Sequence, residues 1–389
     1  MPYRRLCLCI FLVWFIALGT GCPLRAAEKE RVRIGVCLSL SGDFADFGRI
    51  YLAGIRLRLE EYAANSGDRE VELVVRDDKS DEATAAAAVR ELVDEVDVAA
   101  IIGSVSSGVT LAMAEETKPR GLVLVTPSAT SPRLGHDGDG IVRVLFDDEF
   151  QGEALAAHIA RQLGLRRAAV LLNEQFEYSR SIAKAFQTNF IREGGAIILE
   201  TYDMPLSKVE TYDFRPQLRR IQAQKPDVVL IPSYPEEVAA VLRQAQEVGL
   251  NARFCGGDAW HHESTMLTSG NYLEGAFYIS VMDEENPSGR LLDFENLLNR
   301  SNYDADIVSG QGYDAMSIVL EAMKSGRRRA LLLEGVYGIS DFPLVTGDIT
   351  ICRKRGSLKP AYIVEVVKEG GHFVRKVVDI IKPRLECDL

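Results

Sequence analysis

The sequence is poor in several things, and each shortage narrows the choice of function. Positive charge is in deficit: 45 Lys and Arg stand against 56 Asp and Glu, a net charge of −11. That is a weak electrostatic footprint for gripping phosphate backbones, which excludes nucleic acid as the expected partner. Long hydrophobic runs are also scarce. The longest, Leu6 to Leu18, falls short of the roughly 20 residues that a helix needs to cross a bilayer core, and this excludes a polytopic membrane protein. Histidine is limited to His136, His158, His261, His262 and His372. The only adjacent pair, His261-His262, reads as a solvated loop pair rather than a metal site, so no metal and no cofactor are expected.

Cysteine is sparse as well. Cys7 and Cys9 belong to the first segment, which leaves Cys37, Cys255, Cys352 and Cys387 in the body of the chain and implies no disulfide framework. Cys37 and Cys255 sit in apolar strand-like runs and read as buried small hydrophobes. Cys352 and Cys387 are the pair that an oxidising compartment could join. The common catalytic signatures are missing too: there is no phosphate-binding Gly-x-x-x-x-Gly-Lys-Ser/Thr loop, no Gly-x-Ser-x-Gly elbow and no His-Glu-x-x-His helix. Asp137-Gly138-Asp139-Gly140 lacks the oxygen-rich spacing of a calcium loop and reads as a turn. The chain is expected to be no enzyme.

What is present begins with residues 1–22. Arg4 and Arg5 precede the apolar run, and Gly19, Thr20 and Gly21 precede Cys22, the pattern of an export signal. Two processing routes fit. Cys22 follows small residues as in a lipoprotein cleavage site and would then carry the lipid anchor; ordinary cleavage between Gly21 and Ala27 would release a soluble product. Both place the mature protein outside the cytoplasm.

From Val32 onward, apolar runs of about five residues alternate with helical spacing. Strands are expected at 32–40, 71–75, 98–102 and 122–125, with helices at about 46–64, 82–93 and 109–118 between them. A second set follows the run 141–146, with helices at 151–162, 179–192, 215–224 and 235–248 and strands at 168–172, 196–199 and 228–231. Continuous apolar strands separated by helices imply α/β architecture with parallel sheets covered on both faces. At 389 residues with 47% hydrophobic content, the chain reads as two such lobes in series.

Ligands of open α/β sheets bind at the carboxyl ends of strands, where helix N-termini offer unpaired amides. Ser104, Ser106 and Ser107 follow one strand, and Ser128, Thr130 and Ser131 another. Ser107 at a helix start could hold a carboxylate, although simple helix capping is the commoner role of such hydroxyls. The second set contributes Tyr178, Tyr234 and Asp258 after its strands, an aromatic wall with one carboxylate suited to a cationic group.

These motifs in this order resemble the type I periplasmic solute-binding proteins of the branched-chain amino acid (Leu/Ile/Val-binding) group, receptors of ABC importers. They are Leu40-Ser41-Gly42 with Phe47-Gly48 and Gly54, Asp77-Asp78, Ile102-Gly103 with Ser106-Ser107, Thr126-Pro127-Ser128-Ala129-Thr130, Asp227-Val228-Val229 through Tyr234, Leu242-Arg243-Gln244-Ala245 with Gly249, and Gly312-Tyr313-Asp314-Ala315. The likeness spans about residues 31–375. It implies two Rossmann-like lobes joined by a three-segment hinge, with crossings near Phe146, Val281 and Val345. Lobe I would comprise 31–146 and 282–344, and lobe II 147–281 and 345–385.

By the same resemblance, Ser107 and Thr130 hold a ligand carboxylate. The Ser128 carbonyl, Thr130 and Asp258 meet its ammonium. Phe47, Tyr178 and Tyr234 wall the cleft, and Val105 and Val308 touch the ligand side chain. The implied ligand is a small amino acid, branched-chain or aliphatic, and the implied partners are the permease subunits of an importer, with the receptor a monomer. The alternative is an exported sensor, or a receptor of the same fold for an amide, urea or aromatic acid. Asp258 stands where relatives often carry Glu. Ser80 and Ser106 stand where some have a disulfide, and Arg180 and Trp260 are expected near the rim and the pocket.

Overall fold

A computed structural model of the chain describes residues 31–66, 70–383 and 387. The export segment, Cys7, Cys9 and Cys22 lie outside the described residues. Eight elements open the chain: β1 (Val32–Leu38), α1 (Ala45–Ser66), β2 (Val71–Asp77), α2 (Glu82–Asp94), β3 (Ala100–Ile102), α3 (Ser107–Thr117), β4 (Val123–Thr126) and β5 (Ile141–Arg143). Their strands form one parallel sheet in the order β2-β1-β3-β4-β5. Strands β3, β4 and β5 are buried along their whole length, so these runs are uninterrupted rather than alternating. Helix α2 starts where the Asp81 carboxylate caps Thr84 N–H at 2.7 Å. Ala85, Val89 and Leu92, at helical spacing, then fill one side of the sheet.

The next set comprises α4 (Asp148–Ala157), β6 (Arg167–Asn173), α5 (Glu177–Arg192), β7 (Ala196–Tyr202), α6 (Arg215–Ala223), β8 (Val228–Leu230), α7 (Pro235–Glu247), β9 (Arg253–Gly256), α8 (Glu263–Ser269) and β10 (Phe277–Ser280). The chain then forms α9 (Gly289–Arg300), α10 (Gly310–Ala322), α11 (Arg329–Tyr337), β11 (Thr350–Cys352), β12 (Gly356–Leu358), β13 (Ala361–Glu369) and β14 (His372–Ile381). The second sheet runs β14-β13-β10-β9-β8-β6-β7, parallel from β10 to β7, with the β13–β14 hairpin added antiparallel. Cys37 and Cys255 are buried and free, and Cys352 pairs with Cys387 at a Cα separation of 5.4 Å.

The chain passes from the first lobe to the second between β5 and α4, and back after β10. The third crossing differs from the expectation near Val345. There the chain is still tied to the first lobe: Val345 N–H and Thr346 N–H donate to the Asp314 carboxylate of α10 at 2.8 and 2.9 Å. The β11–β12 hairpin packs on α11 and β5, and the chain does not join the second sheet until β13. Lys359-Pro360 is therefore the crossing. A change from helix to strand marks where an element ends, but two three-residue strands carry no sign of which sheet they will lie against.

Helices α1 and α10 hold one wall of the interlobe cleft, and they cross on glycine. A Cβ on Gly54 would collide with the Ser309 carbonyl, and one on Gly312 with the Tyr51 carbonyl. Replacing Gly312 by Ala should lower stability by about 1–3 kcal/mol in urea unfolding, because forced separation of the helices outweighs the ~1 kcal/mol gain in helix propensity. An unchanged or higher midpoint would show that the crossing relaxes freely.

Candidate functional site

Strand ends and helix starts from both lobes converge on one small cavity at the closed interface between them. The first lobe contributes Phe47 and Tyr51 from α1, Val105 and Ser107 around the start of α3, Ser128 after β4, and Val308 and Gln311 at the start of α10. From the second lobe come Tyr178 of α5, Tyr234 just before α7, and Asp258, Ala259, His261 and His262 after β9.

The lobes are closed on each other. Phe44 packs with tilted rings against Tyr234, centroids 4.7 Å apart, and Phe47 likewise against His262 at 4.3 Å. Tyr234 also meets Tyr178 at 5.5 Å. Beside the cavity, Ser131 Oγ donates to the Glu177 carboxylate at 3.3 Å, and Arg133 lies 3.7 Å from the same group. The apolar core is continuous across the cleft through these rings.

Ser106 caps α3: its hydroxyl accepts from Val109 N–H, and its carbonyl takes Thr110 N–H. The first amides of a helix have no partner inside it, and that of Ser107 lies on the cavity wall. The Ser107 hydroxyl is itself occupied, accepting the backbone N–H groups of Thr130 and Ser131 at 3.3 Å each. Ser128 Oγ donates to the Val105 carbonyl at 2.8 Å. These bonds occupy both hydroxyls, so Ser107 offers its amide more readily than its hydroxyl.

Opposite stands Asp258. Gln151, fully buried on α4, holds it twice: its amide nitrogen donates to Asp258 Oδ1 at 2.8 Å, and its oxygen accepts Asp258 N–H at 3.0 Å. Burial pushes the Asp258 carboxyl up to about 6, partly offset by the hydrogen bonds from Gln151 and the Tyr178 hydroxyl. Asp148 lies behind Gln151, 3.1 Å from the same amide nitrogen. Its carboxyl is raised well above the usual range, chiefly by burial and further by the charge of Asp258. One anionic carboxylate thus faces the cavity, and among the described residues lining it there is no Lys or Arg.

Of the nine ligand-contact residues expected from sequence, eight lie on the cavity wall: Phe47, Val105, Ser107, Ser128, Tyr178, Tyr234, Asp258 and Val308. Thr130 does not. It is buried, its hydroxyl is turned to the Asp148 carboxyl, and its carbonyl accepts Asp148 N–H at 2.9 Å, so it joins β4 to the first crossing instead. Trp260 is not on the wall either; its indole N–H donates to the Ile231 carbonyl at 3.0 Å inside the second core. Arg180 does not line the cavity; it pairs at 2.9 Å with Glu177, beside it, and donates to the Glu174 carbonyl. The His261-His262 pair, expected to be solvated, is buried and lines the cavity. Sequence reasoning misses Tyr51 and Gln311; helical spacing from Phe47 and Val308 is the signal that could find them.

The family model described as periplasmic binding protein matches residues 31–371. A Leu/Ile/Val-binding protein, BraC3 of Rhizobium johnstonii, is 24% identical over 84% of this chain and 88% of its own length. The crystal structure of a leucine binding protein, LivK of Thermotoga maritima, is 27% identical and superposes with a TM-score of 0.81 over 90% of this chain and 99% of that one. A solute-binding protein of an ABC transporter from R. palustris, in complex with 4-hydroxybenzoate, shares the fold at 21% identity, with a TM-score of 0.78 over 92% of this chain and 98% of that one.

Proposed function

The chain belongs to the periplasmic binding protein family, in its type I branched-chain amino acid group, and on that premise we propose that it captures a small amino acid between its lobes and delivers it to an ABC importer. The observation that carries the reading is Asp258, among the described residues the one carboxylate on a cavity wall that holds no Lys or Arg, set across from the Ser107 amide at the start of α3. A zwitterion suits that pair. Its carboxylate meets the positive end of a helix and its ammonium a buried anion. Ser107 and Ser128 bind from the first lobe, Tyr178, Tyr234 and Asp258 from the second, and the aromatic rings shut the cleft over the ligand. Because both lobes make contacts, the ligand favours the closed form over the open one by its differential affinity.

The monomeric receptor works in the periplasm, and its closed face is what the importer's permease subunits read. An aromatic acid such as the 4-hydroxybenzoate of the R. palustris relative has no amine, and would bury the Asp258 charge without a partner. A thermal-shift screen of amino acids and simple carboxylic acids tests the proposal: ligand at 100 times its Kd should stabilise the protein by about 2.7 kcal/mol. Shifts with amine-free acids alone would refute it.

A further inference from the structure

We propose that the ligand is an amino acid whose side chain ends in a neutral group that both donates and accepts hydrogen bonds, a hydroxyl or a carboxamide, rather than an aliphatic one. The inference rests on the amino-acid reading of the cleft and specifies its side-chain class.

Two polar side chains of the cavity wall, one from each lobe, are enclosed without a partner for one atom. His262 is 7% exposed and packs against Phe47. Its Nδ1 accepts the backbone N–H of Ser264 at 3.2 Å and lies 2.7 Å from the Ser264 hydroxyl. A backbone amide can only donate, so Nδ1 carries no proton; burial keeps the ring neutral, and the proton therefore sits on Nε2. That Nε2–H is buried with no acceptor among the described residues. Gln311, 4% exposed in the first turn of α10, likewise has Oε1 buried with no donor among them.

Closure places the residue with the orphan donor and the residue with the orphan acceptor on the wall of one cavity. A hydroxyl accepts from His262 Nε2–H and donates to Gln311 Oε1; a carboxamide does the same with its two ends. An aliphatic side chain would leave both unmatched. Each unpaired buried group costs on the order of 5- to 150-fold in binding. Such asymmetry lets a site reject an analogue that merely lacks the polar group.

Near-isosteric pairs isolate the effect. Calorimetry on the wild-type chain, freed of carried-over ligand by unfolding, dialysis and refolding, should find threonine tighter than valine, or asparagine tighter than leucine, by tenfold or more. Gln311→Leu should weaken the polar member of that pair at least fivefold and strengthen the aliphatic one. The wild-type comparison stands whether or not the variant folds. Valine and leucine binding as tightly as threonine and asparagine would overturn the inference and leave the amino-acid reading intact. Binding of benzoate with no amino acid bound would overturn both.

Discussion

Replacing Asp258 by Asn should weaken binding of the cognate amino acid by about 30- to several-thousand-fold, corresponding to the roughly 2–5 kcal/mol lost when a buried charge pair is broken. The variant keeps its shape. The introduced carboxamide presents its carbonyl oxygen to Gln151 in place of Oδ1, so the 2.8 Å bond that orients the group survives while its charge does not. Nor should the unliganded fold suffer, since the substitution removes an anion whose burial is unfavourable enough to raise its carboxyl to about 6. Calorimetry reads the affinity, and urea unfolding of the ligand-free variant reads the fold. An affinity unchanged within a factor of three would mean that the ammonium sits elsewhere.

Affinity should also fall by about tenfold between pH 8 and pH 5, the second large effect. The ammonium binds the anionic form of Asp258, so protons compete with it. With the carboxyl at about 6 in the unliganded protein, competition is negligible well above that value and grows tenfold per pH unit well below it. At pH 6 about half a proton should be released per ligand bound, measured from calorimetric enthalpies in buffers of different ionisation heat, and Asp258→Asn should release none. For stability the sign is the reverse. A carboxyl raised in the folded state contributes stability below its unfolded value near 4 and loses it as pH rises through about 6. His158 and His262, lowered chiefly by burial, oppose that trend, so ligand affinity is the cleaner readout than the melting temperature.

Much of this was legible in the sequence, for an identifiable reason. Parallel strands covered on both faces must be uniformly apolar, so β3, β4 and β8 announced themselves, and the chemistry of such sheets gathers where strands end. Ser107, Ser128 and Asp258 follow directly from that rule, sharpened by the family resemblance. What stayed hidden depends on which way a side chain turns after the strand ends. Thr130 has the same chemistry as Ser128, yet Asp148 competes for its hydroxyl, and that pairing exists only once α4 is docked. Trp260 and His262 sit two residues apart in one turn, and their opposite fates are decided by the Ile231 carbonyl and the Phe47 ring. Gln311 and His262 come to line one cavity only through closure of one lobe on the other, which no local pattern encodes. The third crossing was hidden for a similar reason: the hold of Asp314 on Val345 and Thr346 is a contact across 31 and 32 residues.

The most direct test is a crystal structure of the protein with the amino acid that stabilises it most. The ligand ammonium should lie within hydrogen-bond distance of the Asp258 carboxylate, and its carboxylate against the Ser107 amide at the start of α3. A ligand bound in the cleft with its amine turned away from Asp258, or bound outside the cleft altogether, would contradict it.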